Sequence, residues 1–66
     1  MIKLSKFMRE YIENQKSMED FAEILGVSRQ TVYNILDDSE GLSTKTLELL
    51  SDKTGIRFEK AFEVIE

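Results

Sequence analysis

The 66-residue chain contains no cysteine, no histidine and no proline. Without cysteine it can form neither a disulfide nor a thiolate zinc site. Without histidine it also lacks the commonest metal ligand and the commonest general base. No side chains are arranged as a nucleophile–base pair, so the sequence predicts a non-enzymatic protein with no metal site and no cofactor. The missing proline fits a chain of short helices punctuated by its three glycines. No apolar run is long enough for a signal peptide or a membrane span, which predicts a cytoplasmic protein that does not engage a membrane. The length predicts one small domain over 1–66, one that buries only about 60% of the surface its unfolded form exposes.

Charge is present but unevenly placed. The net charge is −4. Residues 1–36 hold five acidic and five basic side chains and sum to zero, whereas residues 37–66 hold eight acids against four bases. A surface that uses positive charge therefore has to be drawn mainly from the first half.

Apolar spacing predicts helices throughout. Leu4, Phe7, Met8, Tyr11 and Ile12 outline a first helix over about 3–14. Ser17, followed three residues later by Asp20, resembles a capping box and opens a second helix from Met18 to Leu25, which buries Phe21, Ala22 and Leu25. Gly26 closes it in a left-handed conformation. Ser28 caps a third helix from Arg29 to about Asp37, with Val32, Ile35 and Leu36 inward and Arg29, Gln30, Tyr33, Asn34 and Asp37 on the opposite face. After the polar loop "DDSEG", Ser43 or Thr44 caps a fourth helix carrying Leu47, Leu49 and Leu50, stopped by Thr54-Gly55. Ile56, Phe58, Ala61, Phe62 and Ile65 outline a fifth. No strand pattern and no internal repeat is visible, so the expectation is all-α.

Residues 18–37 have the requirements of a helix-turn-helix: a small residue, Ala22, where two helices meet, Gly26 in the turn, and apolar residues at fixed offsets on both sides. The stretch "SMEDFAEILGVSRQTVYNIL", continued by "LSTKTLELLSDKTGIRFEKAF", resembles the Cro and lambda-repressor-like (XRE) helix-turn-helix family. That resemblance implies a compact five-helix domain in which the third helix enters the DNA major groove. By position it places Arg29, Gln30 and Asn34 against base edges. Arg is chemically suited to guanine O6 and N7, and Gln or Asn to adenine N6 and N7. It places Lys16, Ser17, Ser28, Thr31, Tyr33, Thr44 and Lys45 against phosphates, several of them at helix N-termini.

Three features depart from the family pattern. Met18 stands where several members carry glutamine. The loop after the third helix is acidic (Asp37, Asp38, Glu40) where it is often basic. Leu36, with Tyr11 as its expected neighbour, replaces the glutamate of a buried Arg–Glu pair.

The resemblance further implies double-stranded DNA as the partner, a pseudo-palindromic operator, and a homodimer at least on DNA. Phe58, Phe62 and Ile65 either contribute to a dimer contact or close the core. The leading expectation is a sequence-specific repressor or Cro-like regulator, whose regulation would come from a protein partner, from concentration or from competing sites. The alternative is a protein-interaction module on the same fold, such as an antirepressor or antitoxin, favoured by the acidic loop. An Arg29→Ala variant that loses DNA binding separates the two.

Overall fold

Serine starts four of the helices in the computed structural model, which describes residues 1–65. Ser5, Ser17, Ser28 and Ser43 each hold an extended backbone, and each hydroxyl accepts a hydrogen bond from an amide in the first turn that follows. Such an acceptor satisfies an N–H that the helix itself cannot, and contributes about 1 kcal/mol. The helices are α1 (Lys6–Glu13), α2 (Met18–Leu25), α3 (Arg29–Leu36) and α4 (Thr44–Thr54), followed by the single turn α5 (Phe58–Ala61). Of the two residues proposed to cap α4, Ser43 is the cap.

α2 ends as its sequence predicts. Gly26 sits at φ 76°, where a side chain would be strained. Its N–H donates to the Glu23 carbonyl at 3.1 Å, and the Val27 N–H donates to Ala22 at 2.9 Å. This pair of bonds closes the last turn and redirects the chain into α3.

The fold is mostly helical, as expected, but two predicted boundaries are corrected. Residues expected in the first helix instead form a short strand, β1 (Ile2–Leu4), and the expected fifth helix gives way after Ala61 to β2 (Phe62–Val64). The two strands pair antiparallel, with Ile2 opposite Val64, Lys3 opposite Glu63 and Leu4 opposite Phe62. Three residues are too few for an alternating pattern to stand out from a helical one. What decides the conformation is pairing between segments some sixty residues apart, so tertiary context overrides local preference. The junction is secured at Ser5. Its N–H donates to the Ala61 carbonyl at 2.9 Å and its hydroxyl to the Lys60 carbonyl at 2.6 Å, which fixes where α1 begins.

One hydrophobic cluster joins all of these elements. It contains Leu4, Met8, Ile12, Phe21, Ala22, Leu25, Val32, Ile35, Leu47, Leu50, Ala61 and Phe62. Two aromatic residues predicted on the inner face of the first helix lie at its margin: Phe7 sits beneath the Lys60 ammonium, 4.5 Å from the ring centroid, and Tyr11 packs edge-on against Phe21.

Leu36 is half-buried against the core, yet the apolar residue at this place does not leave the region without an ion pair. Arg9 Nη2 lies 2.9 Å from Asp38 Oδ1, and Arg9 Nη1 donates to the Leu36 carbonyl at 2.8 Å. The other oxygen, Asp38 Oδ2, accepts the Leu4 N–H at 2.8 Å. The acid is supplied two residues after Leu36, from the loop rather than the helix. Asp38 thus ties together α1, β1 and the C-terminal end of α3.

Candidate nucleic-acid interface

α3 packs against α2 and is buried through Val32 and Ile35, with Thr31 and Leu36 half-buried at the edges. The 3.6-residue period then turns Arg29, Gln30, Tyr33, Asn34 and Asp37 to solvent. All three residues expected at base edges lie together on this exposed face. They are not isolated from one another or from the rest of the fold. Gln30 Nε2 donates to Asn34 Oδ1 at 3.1 Å, one turn further on. Arg29 Nη1 donates to Glu19 Oε1 at 3.2 Å, across to the first turn of α2.

Six of the seven residues expected at phosphates are divided among three helix starts, and Tyr33 lies in the middle of α3. Lys16 is exposed and precedes Ser17, whose hydroxyl accepts from the Glu19 and Asp20 amides. At the start of α3, the Ser28 and Thr31 hydroxyls hydrogen-bond each other at 2.9 Å, and Ser28 also accepts the Thr31 N–H. Both hydroxyls are therefore engaged in the cap, and any phosphate contact would be an additional bond to a group already positioned. Tyr33 is exposed on the same face. Thr44 and Lys45 are exposed in the first turn of α4. A shallow concavity lined by Thr31, Asn34, Leu42, Ser43 and Thr46 places the start of α4 beside the α3 face. Lys45 borders a second groove with Gly26 and Val27 of the helix-turn-helix turn.

The acidic loop is less acidic toward solvent than its sequence suggests. The Asp38 side chain is 11% exposed and faces Arg9. Asp37 is exposed and accepts from the Ser39 hydroxyl, and Glu40 is exposed. Of the three loop acids that favour a protein-interaction module, one belongs to the folded framework. Arg9 is committed to the same pair.

Of the three residues offered for a dimer contact, Phe62 is 4% exposed and is withdrawn into the core, where it faces Leu4 across the sheet. Phe58 and Ile65 stay 42% and 41% exposed, and Val64 beside them is 63% exposed. Sequence reading missed two residues near the interface, Glu19 and Asp38. Glu19 could have been found from its place in the first turn of α2, which a helix-turn-helix brings beside the start of α3. Asp38 carried no signal that distinguished it from Asp37.

Among the described residues, no helix is long and apolar enough to cross a membrane. No three His, Cys, Asp or Glu side chains gather as a metal site would need, again among the described residues.

A protein-family model described as helix-turn-helix matches residues 3–60. No curated protein and no solved structure matches the chain.

Proposed function

Because the chain belongs to the Cro and lambda-repressor-like (XRE) helix-turn-helix family of DNA-binding regulators, we propose that it is a sequence-specific, repressor or Cro-like protein that inserts α3 into the DNA major groove. The observation that carries this reading is the grouping of Arg29, Gln30 and Asn34 on the solvent face of α3, with Arg29 and Gln30 at the end nearest the turn and Asn34 one turn further on. Base edges in the major groove display distinct donor and acceptor patterns, and these three side chains match them. Arg29 is assigned to guanine O6 and N7, and Gln30 and Asn34 to adenine. Lys16, Ser17, Ser28, Thr31, Tyr33, Thr44 and Lys45 are assigned to the flanking phosphates, which fix register without carrying sequence information.

One recognition helix spans too few base pairs to single out a site in a genome. The protein therefore acts as a homodimer on a pseudo-palindromic operator, with half-sites about one helical turn apart. Phe58 and Ile65, with Val64, supply the dimer contact. Phe62 does not, because its ring is spent on the core. The reading assigns no catalytic activity, cofactor or metal to the chain, and places it in the cytoplasm.

In-vitro selection from a random duplex pool, at two salt concentrations, tests the assignment. Wild type should enrich a short palindrome, bind it more weakly as salt rises, and lose preference at one position in Arg29→Ala. If nothing is enriched even at low salt, the assignment fails. The fold would then be an interaction module of the antirepressor or antitoxin kind.

A further inference from the structure

We propose that Glu19 is a positioning residue for base recognition: by holding one edge of the Arg29 guanidinium it sets Arg29's specificity, while weakening the protein's hold on DNA of any sequence. This deepens the function proposed above and rests on it.

The starting observation is the 3.2 Å contact between Arg29 Nη1 and Glu19 Oε1. It joins the first residue of α3 to the second residue of α2. Both side chains are largely exposed, at 59% and 73%. Ion pairs this exposed contribute little to folding, so stability is a poor reason for the arrangement. The local field also disfavours a cation here. Arg29 stands at the N-terminal, positive end of α3, with no acidic residue in that helix's own first turn. Glu19 supplies the missing negative charge from the neighbouring helix.

The geometry bears on recognition in two ways. A guanidinium carries five N–H donors in a fixed fork. With Nη1 engaged by Glu19, the edge formed by Nε and Nη2 has no partner among the described residues, and two parallel donors on one edge are what guanine O6 and N7 accept. A long side chain held on one side has less conformational freedom to lose on binding, and fewer wrong orientations in which to satisfy another base. The second effect has the opposite sign. A carboxylate beside a surface that approaches phosphates repels every DNA sequence equally, which lowers affinity without discriminating. The better-aimed arginine raises the ratio of specific to non-specific binding, and the uniform repulsion lowers both affinities without changing that ratio.

The test is a double-mutant comparison of wild type, Glu19→Gln, Arg29→Ala and the combined variant. Each is titrated against the selected duplex, against the same duplex altered one position at a time, and against a scrambled duplex. The Arg29-read position is the one that Arg29→Ala relaxes. In Glu19→Gln the scrambled duplex should be bound more tightly, and preference at the Arg29-read position should fall about two- to five-fold, the range expected for one exposed ion pair. The other positions should be unchanged, and Glu19→Gln should have no effect on preference in the Arg29→Ala background. If Glu19→Gln tightens binding to all duplexes alike and leaves preference intact, Glu19 is only a repelling charge and the proposal is overturned. Loss of preference that persists without Arg29, or no change in either quantity, overturns it equally. If Arg29→Ala relaxes no position at all, it is the base-reading assignment itself that fails. A thermal melt shows that each variant is folded.

Discussion

Asp38 provides the sharpest test of how the framework holds α3. Replacing it with alanine removes two interactions at once. The Leu4 N–H, a buried donor, loses its acceptor at 2.8 Å. An unsatisfied buried N–H costs about 1–3 kcal/mol. Arg9 also loses its carboxylate at 2.9 Å. A charge-assisted bond of this kind contributes about 1.5–3 kcal/mol. The lower end applies, because Arg9 is one-third exposed and rehydrates. Together the loss is about 3 kcal/mol, against a total of about 3–10 kcal/mol for a domain of this size. Asp38→Asn keeps an oxygen for Leu4 and gives up only the charge, so it should cost about 1 kcal/mol. In thermal melts followed by circular dichroism, the expected falls in Tm are about 12–24 °C for the alanine variant and about 4–8 °C for the asparagine variant. Urea titration should rank the two in the same order. Asp38→Ala within about 0.5 kcal/mol of wild type, a change typical of ordinary surface substitutions, would refute the reasoning. Asp38→Asn as damaging as Asp38→Ala would show that the Leu4 bond is not what the carboxylate provides.

Other expectations follow from burial and backbone conformation. Phe62→Ala should destabilise by about 3–5 kcal/mol, as expected for deletion of a core aromatic ring. Phe58→Ala should cost far less in the monomer but weaken self-association on DNA, read by sedimentation with and without a selected duplex. A concentration-independent monomer under both conditions would exclude the dimer. Gly26→Ala meets open space, since nothing lies within 4 Å of an added Cβ, yet it must adopt φ 76°. It should therefore destabilise by about 1–2 kcal/mol through backbone strain alone, measurable by urea titration.

The helical framework was legible because its signals are local. The serine caps at Ser17, Ser28 and Ser43, the glycine after Leu25 and the 3.6-residue spacing of Phe21, Ala22, Leu25, Val32 and Ile35 each act within one or two turns, and the structure follows them. The exposed face of α3 could be read for the same reason, since identifying its buried residues identifies the others. What escaped is non-local. β1 and β2 exist because residues 2–4 and 62–64 are brought side by side by the fold, a pairing that neither segment announces alone. Asp38 looked like one of three loop acids, and only the folded chain shows it turned toward Arg9 and Leu4. Helical spacing groups Phe62 with Phe58. The change to strand at Ala61 sends the two rings to different environments, one in the core and one at the surface, with centroids still 5.2 Å apart.

The most direct test of the central claim, that the start of α3 reads base edges in the major groove, is to remove a single acceptor atom from the DNA. In the duplex enriched by selection, each guanine is replaced in turn by 7-deazaguanine, which lacks the N7 acceptor but still pairs normally. Wild-type protein should lose affinity at one guanine per half-site, by about 1–3 kcal/mol or less if O6 alone retains part of the contact. Arg29→Ala should show no further loss at that same guanine. Wild-type binding that tolerates the substitution at every guanine would contradict the account.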